Sequence, residues 1–522
     1  MAYLAWLCPY TLAEDEAHYW EWSRRIEWSY YSKGPGVAWA IAASTWLGRT
    51  LRLELSEFWV RLPAVASSAA LLVALAILGA RTSDDPRAPR RAVLAGLFVP
   101  AFFVAGLLIT IDSPLLACWA WAIVCAHHAL RRHGRWAWVG LGAALGVGFL
   151  FKYTILLLVP GIAIFAWRSR AGLRLAPRWR PWALAGSAVA MASLAPVLIW
   201  NAQHDWSTVR HLLGHLGLPG GDVVPSQAVG GWRYSPRWTL ELVGGQIGLI
   251  GPMIALMAWA AWKAWDKGSV ARSHGTDAWH TSTAPHATDR ALLLWSAVPI
   301  FVFYLGVSFV AEPEANWPMA GFVGLTPLAA VMLREPGPAW RRRAWSASAI
   351  VIVLLVVVGA RADLIFDSRF ANLIRRPLAA LGWVRADRPL IPVQRITGAR
   401  TMAADADRLV RELQAETGLL PFVVAQHYGR ASLLAFYMDG RPTIYCSSSK
   451  SAGRRTQYDL WTETSLDDRA LLGRPAVLVG GEWEAWTWAF GPVREVGPLR
   501  GETKRNRMTY LGFAYRFWDV YP

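Results

Sequence analysis

Apolar runs recur along the first 360 residues of the chain, and short polar stretches separate them. A helix needs about 20 residues to cross a bilayer. We predict spans at or near ten runs, with boundaries at 58–80, 92–110, 114–130, 136–151, 153–167, 182–200, 238–262, 291–310, 317–333 and 344–360. A further run, 35–48, is only thinly apolar, and we expect it to lie along the membrane interface as a helix. The pattern predicts a mainly α-helical, polytopic membrane domain over 1–360 with about ten to eleven spans.

The pattern changes after this region, because residues 361–522 are more polar. Leu409 and Leu413 have helical spacing in ADADRLVRELQAETG, and Gly418 is a typical helix stop. PFVVAQ, PTIYC and PAVLVGG are typical of short buried strands. We therefore predict a small α/β domain over 361–522. The three tryptophans of GEWEAWTWAF belong either to its core or to an acceptor surface, and a core is the stronger expectation.

The composition supports a membrane protein. The chain is 54% hydrophobic and only 17% charged, whereas a soluble domain carries nearly a quarter charged residues. The net charge of +17 does not indicate nucleic-acid binding, because the basic residues cluster in short loops between apolar runs. The 32 tryptophans suit both membrane interfaces and sugar-binding sites, and composition does not separate these two uses.

Loop charge predicts the orientation. One set of alternate loops contains 20 Lys and Arg residues, and the opposite set contains 4. Positively charged loops stay in the cytoplasm, so the second set and the polar tail are expected outside. If 35–48 does not cross the membrane, the acidic loop over 13–57 also lies outside. A first span must then precede it, and we expect MAYLAWLCPYTL to be the end or the remnant of that span. This stretch lacks the basic region and cleavage site of a signal peptide.

Polar and ionisable residues gather at the ends of the apolar runs on the predicted outer side. Such groups are costly at membrane depth and usually face a cavity or a partner. Acids near lysines at several converging helix ends predict a site for an anionic ligand and its reaction. The candidates are Asp15, Glu16, Lys33, Asp112, Lys152, Tyr153, Asn201, His204, Asp205, Glu312, Glu314, Asn316 and Trp317.

Most candidates also have a purely structural interpretation. Asp15 and Glu16 are either functional acids or charges that stabilise a helix N-terminus. Lys152 either binds a ligand or extends its ammonium to the interface, and Asp112 either supports a site or starts a helix. The functional interpretation depends on all candidates lying on one side. The remaining acids and amides fit a polar turn or a solvated loop: Asn201, His204, Asp205, Glu312 and Glu314.

Several motifs together resemble glycosyltransferase family 39, which includes protein O-mannosyltransferases and lipid A aminoarabinose transferases. DEAHYWEWSRRIEWSYYSKGPGVAW is similar to its first outward loop. RLPAVASS, TIDSPLL, FKYTILLLVPG, PVLIWNAQHDW and EPEANWP follow the motif order of its bacterial branch. The tail around PTIYCSSSKSAGRRTQYDLW is similar too, so the resemblance covers nearly the whole chain.

The resemblance implies a membrane-embedded helical bundle of the GT-C type, a polyprenyl-phosphate sugar donor and transfer on the outer face. The acidic pair of the family falls on Asp15 and Glu16, and its Asp is the general base. The family lysine that approaches the lipid phosphate falls on Lys33. This lysine is followed by Gly34 where the family has proline, which implies a less rigid loop. The acid of the second outward loop falls on Asp112.

The chemistry of the residues agrees with this resemblance. A phosphate leaving group departs with negative charge, which Lys33 or Lys152 would stabilise, and an Asp would accept the proton of the attacking hydroxyl. We therefore predict a hexosyl or pentosyl transferase of the bacterial inner membrane that acts on a lipid, glycan or protein hydroxyl by inverting single displacement. Asp15 is the predicted base, and Glu16 would position the base or the acceptor. A divalent cation could assist, and metal use stays open.

The alternative class is a transporter or flippase, or a non-catalytic binder, of lipid-linked sugar. Transporters commonly contain internal repeats and bind substrate near the bilayer midplane. This chain shows no clear repeat, and its polar groups lie at the ends of runs on one side. These features favour transfer over transport. The retained acids also argue against an inactive binder.

Overall fold

The computed structural model describes residues 1–215, 218, 220–222, 234–273, 286–333, 337–366, 373, 376–377, 379–380, 394–451, 453–502 and 507–518. Each predicted apolar run corresponds to one helix or to two helices in series, and a small sheet forms near the C-terminus. The predicted fold class, a mainly α-helical bundle with a small α/β unit, is therefore confirmed.

The first part of the chain is helical. A π-helix covers Tyr3–Leu7, and 3-10 helices cover Tyr153–Leu157, Arg170–Gly172 and Trp317–Gly321. The α-helices are Glu14–Ser23, Gly36–Thr50, Glu57–Arg81, Ala88–Leu97, Pro100–Ala105, Asp112–Arg131, Trp136–Phe151, Leu158–Arg168, Trp179–Ala192, Ala195–Gln203, Ser207–His215, Pro236–Ile250, Met253–Ser273, Ala287–Trp295, Val298–Val307, Phe322–Met332, Ala339–Ala360 and Ala362–Phe366.

Within the described residues, five helical stretches are long and apolar enough to cross a membrane, and one bent pair raises the number to six. The bent pair, Pro236–Ile250 and Met253–Trp265, turns by 109°. Gly251 separates its two halves with a φ of +65°, a conformation that suits glycine. The remaining apolar helices are shorter, so the count of ten to eleven spans stays a prediction.

Glycines bring neighbouring apolar helices into close contact. A Cβ atom on Gly142 would lie 1.9 Å from the carbonyl oxygen of Gly186, and one on Gly186 would lie 2.2 Å from the carbonyl oxygen of Trp138. The helices Trp136–Phe151 and Trp179–Ala192 thus meet backbone to backbone. Small residues permit this approach between membrane helices, where dispersion contacts drive association.

The run expected at the interface forms the helix Gly36–Thr50. It is not among the helices that meet the length and hydropathy requirements for a span in the described chain. Val37 and Ile41 are buried, whereas Trp46 and Leu47 are exposed. A helix with one buried face and exposed apolar residues at its end fits the predicted interfacial placement.

The C-terminal unit is a five-stranded mixed sheet with helices packed on it. Its strands are β1 (Phe422–Ala425), β2 (Ile444–Cys446), β3 (Ala476–Val479), β4 (Val493–Gly497) and β5 (Thr509–Gly512), in the order β2-β1-β3-β5-β4. β1 pairs in parallel with β2 and β3, and the other pairs are antiparallel. The helices are Gln394–Thr397, Ala399–Thr417, Tyr428–Tyr437 and Trp483–Thr487, with 3-10 turns at Ser448–Lys450, Gln457–Asp459, Thr462–Thr464 and Arg469–Leu471.

The three predicted strands and the predicted helix are present, and Gly418 ends that helix with a φ of +70°. The strands β4 and β5 did not emerge from the sequence. Of the tryptophans in GEWEAWTWAF, Trp486 is buried and donates to the carbonyl oxygen of Gly480, whereas Trp483 and Trp488 are exposed. The core expectation therefore holds for one of the three.

The N-terminal helix Glu14–Ser23 packs on the C-terminal unit. It shares a hydrophobic core with the helix Tyr428–Tyr437 and the sheet. The ring centroids of Trp20 and Phe436 lie 4.8 Å apart in an edge-to-face arrangement, a favourable geometry for aromatic pairs. This shared core holds the two ends of the chain together at the place where the predicted site residues lie.

We expect Gly142→Ala to destabilise the helical bundle by about 1–3 kcal/mol, because the added methyl group overpacks a backbone contact. Gly306→Ala is the matched control, since a Cβ atom there meets nothing within 4 Å. The thermal midpoint of the purified protein in detergent checks this. Equal midpoints for the two variants would contradict the packing described here.

Candidate active site

A cavity of about 200 Å³ lies where the N-terminal helix, the ends of several apolar helices and the C-terminal unit meet. Predicted residues and residues not foreseen both line it. The predicted residues are Asp15, Lys33, Asp112, Lys152, Glu314, Asn316 and Trp317. Those that sequence reasoning missed include His18, Tyr19, Tyr31, Thr110, His211, His215, Tyr428, Arg454, Arg455, Thr456 and Gln457.

Asp112 organises one wall of the cavity. It begins the helix Asp112–Arg131, and its Oδ1 accepts a hydrogen bond of 2.7 Å from the ammonium of Lys152. Its Oδ2 accepts one of 3.2 Å from the side-chain amide of Asn316. Both carboxylate oxygens are thus engaged, and the charges of Asp112 and Lys152 compensate each other. This pair joins two helix ends that are far apart in sequence.

Lys33 lines the same cavity, and its ammonium forms no ion pair with an acid of the described residues. Its ammonium has no hydrogen-bond partner within the described residues, and the side chain is half-buried. Burial, and then the positive charge of Lys152, lower the pKa of Lys33. A desolvated ammonium beside another cation favours an anionic ligand.

The glycine after Lys33 has a packing role. A Cβ atom on Gly34 would lie 2.3 Å from the carbonyl oxygen of Leu150, two residues before Lys152. The absence of a side chain lets the loop pack directly on the end of the helix Trp136–Phe151. This close approach places the loop of Lys33 on the helix end that precedes Lys152, and the lower rigidity of the loop stays a prediction.

Asp15 lies near the start of the helix Glu14–Ser23 and faces the cavity. Its carboxylate accepts a hydrogen bond of 3.4 Å from the hydroxyl of Tyr428, which in turn accepts one of 3.3 Å from Arg454. The side chain keeps access to solvent, but the enclosing protein desolvates it and raises the pKa of Asp15, while Lys33 opposes this rise. A carboxylate with a raised pKa suits a general base.

Glu16 does not line the cavity, contrary to its predicted role beside the base. It is buried, and it forms an ion pair of 2.7 Å with Arg61. Its carboxylate also accepts from the backbone amides of Ala13 and Ile109, each at 3.0 Å. Glu16 therefore caps its own helix and ties it to the helix Glu57–Arg81 and to the segment that precedes Asp112.

The other predicted residues lie outside the cavity lining. Asn201 accepts from the backbone amide of Thr208 and donates to the carbonyl oxygen of Val197, which closes a polar turn. His204 stacks on Trp200 in the same turn. The structural interpretation fits these residues better than a direct role. A structural role also fits three further predicted residues. Asp205 lies in this turn, Tyr153 packs against Phe149, and Glu312 is exposed.

A loop of the C-terminal unit contributes Arg454 and Arg455 to the cavity. The backbone amide of Thr456 donates to the carboxylate of Asp459 at 2.6 Å, which fixes the end of this loop. The predicted site residues include none from this loop, so its contribution to the cavity was missed. Its basic composition was visible in the sequence, and Tyr428 follows β1, where functional residues of open parallel sheets are common.

A cluster of aromatic and histidine side chains lines another part of the cavity. The hydroxyl of Tyr31 donates to Asp222 at 2.6 Å, and its ring lies 4.9 Å from that of His211. His211 and His215 approach within 3.0 Å through their Nε2 atoms. Burial, and then the charges of His215 and Lys33, lower the pKa of His211 to about 2. The ring of His211 is therefore neutral at physiological pH.

The described residues contain no group of three or more His, Cys, Asp and Glu side chains arranged to hold a metal ion. The acids of the cavity, Asp15, Asp112 and Glu314, belong to three separate elements.

The sequence is related to known glycosyltransferases. The sequence signature of the family described as dolichyl-phosphate-mannose-protein mannosyltransferase matches residues 32–200. The chain is 28% identical over 346 residues to the lipid A galacturonosyltransferase RgtD of Rhizobium johnstonii. That match covers 65% of this chain and 64% of RgtD, so it spans just under two thirds of the length of its relative.

Two crystal structures of ArnT from Cupriavidus metallidurans share the fold. The TM-score is 0.57 with the apo state, at 17% identity, and 0.61 with the state bound to undecaprenyl phosphate, at 16% identity. Each comparison covers 98% of this chain and 95% of the ArnT chain. The matches in sequence and structure confirm the resemblance to glycosyltransferase family 39 and the GT-C type of fold that the motifs imply.

We expect Glu16→Gln to destabilise the protein by about 3–5 kcal/mol, because it leaves the buried charge of Arg61 without its counter-charge. The measurement is the thermal midpoint in detergent. Glu54→Gln is the control, since Glu54 is exposed and surface changes stay within about 0.5 kcal/mol. A Glu16→Gln protein as stable as this control would refute the structural role of the ion pair.

Proposed function

We propose that this relative of glycosyltransferase family 39 is a multi-pass membrane enzyme that transfers a sugar from a polyprenyl-phosphate donor to an acceptor hydroxyl. One observation carries the proposal. The carboxylate of Asp15 and the ammonium of Lys33 open onto one cavity at the ends of apolar helices. A base for the incoming hydroxyl and a cation for the departing phosphate thus lie in the same enclosed space.

The reaction needs no covalent intermediate on the enzyme. The acceptor oxygen attacks the anomeric carbon of the sugar, and the bond from that carbon to the phosphate oxygen breaks. The proton of the hydroxyl passes to Asp15. The electron pair of the broken bond stays on the lipid phosphate, whose negative charge Lys33 stabilises. A single displacement of this kind inverts the configuration of the anomeric carbon.

Other residues of the cavity support these two. Asp112 holds Lys152 and Asn316 in place, and because it compensates the charge of Lys152, we assign the donor phosphate to Lys33 rather than to Lys152. Arg455 has no hydrogen-bond partner within the described part of the chain, and it lines the same cavity. Its planar guanidinium suits a phosphate or a sugar acid. We assign it to donor binding together with Lys33.

The relatives support the class of donor and acceptor. RgtD is by name a lipid A galacturonosyltransferase, and ArnT binds undecaprenyl phosphate in one of its structures. By analogy, we propose a polyprenyl-phosphate sugar as donor and a lipid as the preferred acceptor, with glycan and protein hydroxyls as further candidates. The sugar transferred is a hexose or a pentose. The relatives named here are transferases, which does not favour transport of the lipid-linked sugar as the function.

The charge asymmetry of the loops supports the placement of the site. The loops that contribute Asp112, Lys152 and Asn316 belong to the set that is poor in Lys and Arg. Because positive loops stay in the cytoplasm, we propose that the cavity and the unit over 361–522 face the periplasm of a bacterial inner membrane. The domain over 1–360 then embeds the lipid of the donor beside the helix Gly36–Thr50.

We expect Asp15→Asn to reduce the rate of transfer by about 10²–10⁴-fold, because asparagine cannot accept the proton of the hydroxyl. The assay follows a labelled sugar from a polyprenyl-phosphate donor to lipid acceptors with purified protein. Asp205→Asn is the control, since Asp205 lies outside the cavity lining. Wild-type rates from a folded Asp15→Asn protein would eliminate Asp15 as the base.

The pH dependence of transfer by the wild type and by Asp15→Asn gives a second test of the base. Burial raises the pKa of Asp15 above its ordinary value of 3.8, and only the ionised form accepts a proton. The kcat/KM of the wild type should therefore fall as the pH falls through this raised pKa, and Asp15→Asn should lack this acidic limb.

We expect Lys33→Gln to lower kcat/KM for the donor by about 100-fold, because the charge that stabilises the leaving phosphate is lost. Lys263→Gln is the control, since Lys263 is outside the cavity lining and packs on Trp262. The measurement uses the transfer assay at several donor concentrations. Equal effects of both substitutions would show that the positive charge of Lys33 has no specific role.

A further inference from the structure

A second cavity, of about 240 Å³, lies within the C-terminal unit. It is at the carboxyl ends of the parallel strands, with Gln426 directly after β1 and Gly480 directly after β3. The chain passes from β1 to β2 on one side and then to β3 on the other, so the strand order reverses between β1 and β3. Ligands of open parallel sheets bind in the crevice at such a reversal.

The lining of this cavity is cationic. His427, Arg430 and Arg507 line it, and no Asp or Glu is among the described lining residues. Arg430 is only 7% exposed. Its two terminal nitrogens engage Glu14 at 3.3 Å and Glu502 at 2.7 Å, whereas its buried Nε has no hydrogen-bond partner in the described chain.

The electrostatic environment agrees with this lining. Burial lowers the pKa of His427, and the charges of Arg507, Arg454 and Arg430 lower it further against the opposing effect of Glu14. Glu14 and Glu502 offset the charge of Arg430, so Arg507 and Arg454 supply the positive charge that favours an incoming anion.

The two cavities are neighbours along the chain. His427 and Gly453 line the second cavity, whereas the next residues, Tyr428 and Arg454, line the candidate active site. Glu14, which precedes Asp15, lies 3.6 Å from the Nδ1 atom of His427. When the hydroxyl of a molecule lies at Asp15, another group of the same molecule can therefore reach this second cavity.

We infer that the second cavity is an anion site that binds a phosphate or carboxylate group of the acceptor while the acceptor hydroxyl lies at Asp15. The inference rests on the proposed function. The donor phosphate belongs to Lys33, next to the apolar helices that receive its lipid, and the second cavity lies beyond Asp15 in the polar unit. Its volume is below the usual range for drug-sized ligands, so it admits one acidic sugar residue together with its phosphate or carboxylate group.

Binding to the full-length protein in detergent tests the inference in a Lys33→Gln background, which weakens phosphate binding in the active site. The probes are glucose 6-phosphate, glucuronate, inorganic phosphate and glucose. We expect at least one acidic sugar to bind and glucose not to bind. Arg507→Gln should weaken that binding about tenfold, as expected for loss of a charge-assisted contact, and Arg507→Lys should retain more of it.

Arg494→Gln is the control, because Arg494 is exposed and pairs with Glu416 away from the cavity. Equal binding of charged and neutral sugars, or unchanged binding by Arg507→Gln, would overturn the site. Binding of inorganic phosphate as tight as that of the sugar acids would overturn the acceptor assignment. The thermal midpoint of each variant without ligand shows whether it is folded.

Transfer kinetics separate this inference from the proposed function. With an acidic acceptor, Arg507→Gln should raise the acceptor KM about tenfold and leave the donor KM unchanged, and with a neutral acceptor it should change neither. If the wild type transfers no sugar but still binds the acidic probes, the proposed function fails, and the acceptor assignment fails with it, while the anion site stands. Normal transfer with no effect of Arg507→Gln would remove the inference alone.

Discussion

The buried ion pair between Glu16 and Arg61 determines where the functional side chains lie. Both side chains are almost inaccessible to solvent, and a buried pair of this kind costs about as much desolvation as it gains in attraction. The main contribution of the ion pair is therefore to position the elements that it joins. The carboxylate of Glu16 also receives the amide of Ile109, so one group fixes the helix of Asp15 and the segment that leads to Asp112.

A second constraint follows from the contact between the chain ends. The helix that contains Asp15 shares its hydrophobic core with the C-terminal unit, and the hydroxyl of Tyr428 reaches the carboxylate of Asp15. The C-terminal unit is thus part of the wall of the cavity. The helical bundle supplies Asp112 and Lys152, and the tail supplies Tyr428 and Arg454, so neither unit alone builds the site.

The sequence predicts what depends on local pattern and on loop charge. Hydrophobic runs predicted the helices, and the position of polar residues at run ends predicted that Asp112, Lys152 and Asn316 meet. The edge strand β4 and its neighbour β5 were missed, and β4 alternates weakly and is largely exposed. The role of Glu16 was misjudged because its partner Arg61 is distant in sequence. The sequence does not show that Glu16 faces the protein interior while the adjacent Asp15 faces the cavity. Arg454 reaches the site only through tertiary packing.

The uncompensated ammonium of Lys33 has a consequence for turnover. In an enzyme of the proposed kind, the attraction that eases departure of the phosphate persists after the sugar has left. The spent lipid carrier then holds its full negative charge beside a desolvated cation, and it is retained more firmly than the donor was. Release of the carrier, rather than bond cleavage, is then the rate-limiting step of the cycle. Because salt screens the attraction, higher ionic strength should speed this release.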